Sequence, residues 1–140
     1  MKWIRIVEIN NNSTKFTNRD IEEKFKGDYV EAIKQVKLPE KSWSELEVLG
    51  IKRDDITETI DGSPFPLYIS YLLPDEINYD SDCDGYDTCW INTLHFAVKN
   101  EELYVIFEQY MDSANKIYGE YSPNALATLT HKLIVYKLVK

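Results

Sequence analysis

Two stretches in the second half of the chain constrain its fold more than any other feature. Residues 90–98 place Trp90, Asn92, Leu94, Phe96 and Val98 on one side of an extended backbone and Ile91, Thr93, His95 and Ala97 on the other, which is the two-residue period of a strand. Residues 103–110 repeat the pattern after the short connection Lys99-Asn100-Glu101-Glu102. The pair is therefore predicted to form an antiparallel hairpin.

The N-terminal third has a different texture. Residues 3–9 mix β-branched and aromatic side chains and read as a first strand, which Asn10-Asn11-Asn12-Ser13 would break. Thr17 with Asp20, and Asp28 with Glu31, have the spacing of capping boxes, so two helices are expected with Gly27 between them. Ile21, Phe25, Ala32, Ile33 and Val36 would form their buried stripe, and Leu38-Pro39 would end the second. Ser42 with Glu45 signals a third helix carrying Trp43, Leu46 and Leu49 and stopping at Gly50. Residues 54–60 would add another helical turn. The helix-turn-helix outline of residues 42–60 does not read as a DNA reader, because Asp54, Asp55 and Glu58 stand where phosphate-contacting cations are needed.

Residues 66–73, closed by Pro74, suggest a further strand. Ser122-Pro123 opens a C-terminal helix, although Leu133-Ile134-Val135-Tyr136 would suit a strand equally well. The expected class is α+β: an N-terminal strand and short helices packed on a mostly antiparallel sheet, with a C-terminal helix or strand. At 140 residues the chain fits one domain spanning 1–140, and 44% hydrophobic with 13% aromatic residues suits a packed core. No apolar run approaches the roughly 20 residues that a membrane-spanning helix needs. Lys2, Arg5 and Glu8 interrupt any signal-peptide core. A cytoplasmic location is therefore expected, with Cys83 and Cys89 as thiols rather than a disulfide framework.

Charge is distributed in blocks. Residues 1–53 carry 11 basic and 9 acidic side chains, residues 54–115 carry 1 and 14, and residues 116–140 carry 4 and 1. Lys99 is the one cation of the middle block. Such a concentration repels nucleic acid and acidic membranes and steers a basic partner into encounter. The plainer reading is a set of carboxylates that solvate loops. Eight of the ten tyrosines fall between positions 68 and 121, and tyrosine beside carboxylates suits an interface that engages Lys or Arg, although strands favour tyrosine as well.

Candidate sites follow from these features. Asp80-Ser81-Asp82-Cys83-Asp84-Gly85 opens like an EF-hand calcium loop, but Asp87 replaces the apolar anchor and Ile91 the bidentate glutamate. Calcium binding through the Asp80 to Asp87 loop is thus an alternative to an acidic loop that turns between strands or docks on a partner. Cys83, Cys89, His95 and His131 number enough for zinc, yet their spacing is not that of a zinc module. No nucleophile elbow, phosphate-cradling glycine loop or redox Cys-x-x-Cys occurs, so no enzyme is expected and no cofactor or metal is assigned.

In general character the chain resembles bacterial toxin-immunity proteins and phage-encoded inhibitors, which are small, acidic and without catalytic motifs. That resemblance implies a binding protein that neutralises a basic protein, such as a nuclease or another nucleic-acid-processing protein. The expected contacts are Tyr79, Asp80, Asp82, Asp84, Tyr86, Asp87, Glu101 and Glu102. A small hydrolase is the remaining alternative, and it would require a buried, perturbed carboxylate or histidine.

Overall fold

The computed structural model describes residues 2–61, 74, 88–113, 116–117 and 120–139, leaving aside the side chains of residues 88–90, 113, 116–117 and 120–121. The chain runs through strand β1 (Lys2–Ser13), helices α1 (Asn18–Phe25), α2 (Tyr29–Gln35) and α3 (Leu38–Val48), a 3-10 turn (Arg53–Asp55) and strand β2 (Ile56–Asp61). The long strands β3 (Thr88–Lys99) and β4 (Glu102–Ser113), the short pair β5 (Lys116–Ile117) and β6 (Glu120–Tyr121), and β7 (Thr128–Val139) follow. Five strands form one antiparallel sheet in the order β1-β7-β4-β3-β2. The fold is α+β, as expected. No helix among the described residues is long and apolar enough to cross a membrane.

The predicted hairpin is present, with an unbroken register from Thr88↔Ser113 to Lys99↔Glu102. Asn100 and Glu101 connect the strands at φ 50° and 66°. Left-handed backbone at both central residues is what the right-handed twist of a two-residue hairpin demands. The predicted sidedness also holds. His95 and Ala97 face the helices, whereas Leu94 and Phe96 join Val105, Phe107, Ile134 and Tyr136 in a cluster on the opposite face.

The first two helix starts are where the capping pairs place them. Thr17 Oγ1 accepts from the Asp20 N–H at 3.2 Å while Asp20 Oδ2 accepts from the Thr17 N–H at 3.0 Å, a full capping box. Asp28 Oδ1 accepts from the Glu31 N–H at 3.1 Å. Lys26 and Gly27, at φ 54° and 81°, end α1 in left-handed backbone. Ile21, Ala32 and Ile33 are buried with Phe16, Leu38, Ala127 and Leu129, and Phe25 and Val36 pack against them.

Four expectations are corrected. Asn10–Ser13 does not break β1 but pairs with residues 129–132 of β7. Its amides find tertiary partners there: Asn11 Nδ2 donates to Ser42 Oγ at 2.8 Å, and Thr130 Oγ1 donates to Asn12 Oδ1 at 2.7 Å. Leu38-Pro39 opens α3 instead of closing α2, since proline's fixed φ and missing N–H suit a first helical turn. Ser42 is consequently a buried mid-helix residue and not a cap. Residues 54–60 form one 3-10 turn and then β2, where Ile56, Thr57, Thr59 and Ile60 follow their β-branched preference.

The fourth correction resolves the C-terminal ambiguity in favour of a strand, so Ser122-Pro123 does not open a helix. β7 lies between β1 and β4 with both faces buried: Leu129, Leu133 and Val135 toward the helices, Ile134 and Tyr136 away from them. A strand buried on two faces reads as a continuous apolar run, and such a run carries no period that distinguishes it from a helix. The predicted strand at 66–73 lies outside the described residues.

Candidate functional site

The sheet register assembles a polar cluster inside the helix-facing core. Thr93 is the direct partner of Glu108 on β3, and Leu133 is its direct partner on β7. His95 and His131 stand two residues from those partners on the same face, at the diagonal positions that long side chains reach across a sheet. Glu108 Oε1 lies 2.8 Å from His95 Nε2, and Oε2 lies 2.6 Å from His131 Nε2. From α3, Trp43 Nε1 donates to Oε2 at 3.1 Å.

One carboxylate thus faces three ring N–H groups, and the cluster is closed to solvent. Glu108 is 6% exposed, His95 8%, Trp43 7% and His131 0%. Burial pushes the Glu108 pKa up, but the hydrogen bonds and charges of His131 and His95 outweigh it, and the carboxyl is held far below the ordinary glutamate range. Burial, followed by the neighbouring Glu108 charge, raises the Tyr110 hydroxyl above its usual value. Aromatic edges fix the rings: Trp43 meets His95 at 5.4 Å between centroids and Tyr110 meets His131 at 4.9 Å, both edge-to-face. The Arg53 guanidinium stacks over Trp43 at 4.8 Å.

An ionised Glu108 accepts from both Nε2 atoms, which assigns a proton to each Nε2. The two histidines differ at their other nitrogen. His95 Nδ1 lies 2.8 Å from Thr59 Oγ1 on β2, whereas the buried His131 Nδ1 has no hydrogen-bond partner among the described residues. Trp43 is shared with a surface cleft of about 280 Å³ that Glu40, Glu47, Lys52, Arg53 and Asp54 also line. Its indole therefore joins that charged cleft to the Glu108 cluster. Among the described residues no group of three His, Cys, Asp or Glu side chains is arranged to hold a metal ion.

Of the expected contact residues, Glu101 sits exposed at the tip of the β3-β4 turn. Glu102 is already engaged, with Lys137 Nζ at 2.8 Å and the Tyr104 hydroxyl donating at 2.9 Å. The Lys137 hydrogen bond is the main cause that lowers its pKa. Tyr79, Asp80, Asp82, Asp84, Tyr86 and Asp87 lie outside the described residues, and with them the calcium-loop alternative. Of the four soft ligands, His95 and His131 belong to the Glu108 cluster; Cys83 and the Cys89 side chain are not described.

In the sequence Glu108 is one member of the acidic block, and His95 and His131 stand far from each other and beside no motif. The hairpin register alone brings Glu108 diagonal to His95, so that half of the cluster had a signal. His131 and Trp43 join through β7 and α3, whose placement has no local signature. Elsewhere in the block Asp54, Glu58, Asp61 and Glu101 are exposed, and none has an ion-pair partner among the described residues. Comparison with protein-family models, with curated proteins and with solved structures finds no match.

Proposed function

We propose that this chain is a cytoplasmic binding protein that occludes a basic protein partner, in the manner of an inhibitor or immunity protein, with a nucleic-acid-processing protein as the target. The observation that carries this reading is the fourteen acidic and one basic side chains between residues 54 and 115. Exposed carboxylates at Asp54, Glu58 and Asp61, along and just before the terminal β2 strand, and at Glu101 add to it. Such groups are available to pair with the Lys and Arg side chains that a nuclease uses to hold phosphates. The expected contact set remains Tyr79, Asp80, Asp82, Asp84, Tyr86, Asp87, Glu101 and Glu102.

The wild-type chain and an Asp54→Lys, Glu58→Lys, Asp61→Lys variant, used as baits in lysate of the source cell, test the proposal. A basic protein recovered by the wild type and lost by the variant supports it. Equal recovery by both baits removes these carboxylates from the interface.

A further inference from the structure

We propose that Thr59, His95 and Glu108 form a hydroxyl–imidazole–carboxylate relay, in which Thr59 is a nucleophile that accepts an acyl group from small uncharged esters. The inference does not rest on the partner-binding reading, because it is argued from contacts that join three side chains across the sheet and not from the charge of the acidic block. Its three groups lie in a row across β2, β3 and β4. Thr59 Oγ1 is 2.8 Å from His95 Nδ1, and His95 Nε2 is 2.8 Å from Glu108 Oε1.

The order of atoms gives each group its role. With Glu108 accepting the Nε2 proton, the Nε2–H tautomer of His95 presents a bare Nδ1 to Thr59. The hydroxyl therefore donates, with its proton aimed at a base that a buried carboxylate orients. That is the arrangement of nucleophile, base and orienting acid that activates a hydroxyl for acyl transfer, here with the two ring nitrogens exchanged relative to the serine-protease arrangement. The ends of the row differ in access. Thr59 is exposed while His95 and Glu108 are buried, so a substrate meets the oxygen and not the imidazole or the carboxylate behind it. His131 and Trp43 hold Glu108 from its other oxygen, and the Trp43 edge holds the His95 ring. Exposed Asp61 stands two residues from Thr59 on the same face of β2 and disfavours an anionic substrate.

In the reaction, Thr59 Oγ1 attacks the ester carbonyl carbon as its proton passes to His95 Nδ1. The bond from that carbon to the alcohol oxygen breaks, and the alcohol leaves with the proton from Nδ1. Water then attacks the acyl-threonine carbonyl, its proton passing through Nδ1 to Thr59 Oγ1, and the carboxylic acid departs.

The test is labelling of the full chain by an uncharged fluorophosphonate, which reacts at the same oxygen, with peptide mapping of the adduct by mass spectrometry. The expected result is one adduct on Thr59, retained in Thr59→Ser and lost in Thr59→Val. Labelling in His95→Gln is expected to be about 100-fold slower or more, the usual contribution of a general base. Glu108 acts through His95 as a positioning residue. Glu108→Gln is accordingly expected to lower the maximal labelling rate without changing the probe concentration that gives half of it. Absence of an adduct, an adduct on any other residue, or wild-type labelling in Thr59→Val overturns the proposal. So does wild-type labelling in a folded His95→Gln. If His95→Gln does not fold, the exposed-site pair Thr59→Ser and Thr59→Val decides by itself.

Discussion

Glu108 Oε2 lies 2.6 Å from Nε2 of His131, a histidine with no solvent-exposed surface. The contact joins β4 to β7 inside the layer between sheet and helices, which also holds the buried apolar side chains of Leu46, Ile106, Leu133 and Val135. A charge in such a place is stable only while its partners remain, and this dependence yields the first three predictions.

Replacing Glu108 with alanine leaves His95, His131 and the Trp43 N–H without their shared acceptor. Removing one member of a buried, hydrogen-bonded charge cluster costs about 3–5 kcal/mol. Urea denaturation of Glu108→Ala is expected to show a loss of that size. A loss within the range of ordinary surface substitutions would mean that the cluster is not a structural centre.

Stability is expected to depend on acid through the same group. Glu108 ionises in the fold well below the range in which it ionises in the unfolded chain. Its contribution is thus complete above the ordinary glutamate range and is lost as the pH falls through that range toward the folded value. Melting curves of wild type and Glu108→Gln, recorded from neutral pH downward, should differ most at neutral pH and converge in acid. A difference that stays constant contradicts the assignment.

Trp43→Phe keeps most of the ring that contacts His95 and Arg53 but deletes the N–H that reaches Glu108. A hydrogen bond to a charged group contributes about 1.5–3 kcal/mol. Thermal or urea unfolding of Trp43→Phe is expected to lie in that range, below the cost of Glu108→Ala. Equal costs would mean that the indole, and not the carboxylate, organises the cluster.

Ser42→Ala tests the second polar link between α3 and the sheet. Ser42 is fully buried, and its Oγ accepts from Asn11 Nδ2 at 2.8 Å. Without the hydroxyl, the buried amide loses its partner, a cost of about 1–3 kcal/mol. Double replacement with Asn11→Leu is expected to recover part of that loss, because replacing both partners by apolar groups removes the unsatisfied donor. A double variant less stable than Ser42→Ala would contradict this account.

The parts of the fold that could be read in advance are those decided by neighbours in the sequence. The β3-β4 hairpin, the Thr17 and Asp28 caps and the stripe of Ile21, Ala32 and Ile33 each depend on a few adjacent residues. The failures share the opposite cause. Asn10–Ser13 becomes strand because Ser42 and Thr130 satisfy its amides from elsewhere, and Ser42 loses its cap role because Pro39 starts α3 earlier. β7 is a strand because both of its faces meet apolar neighbours. The candidate site divides in the same way. His95 and Glu108 lie in one hairpin, whereas Thr59, Trp43 and His131 arrive from three further elements that no local pattern brings together.

The partner-binding account is tested most directly by the salt dependence of association between the wild-type chain and the protein it captures from the source cell. Paired charges at an exposed interface are screened within about 10 Å at 0.1 M salt. The account predicts a basic partner that associates rapidly at low salt and progressively more slowly and weakly as salt rises. An acidic partner, or an association rate that does not change with salt, would contradict it.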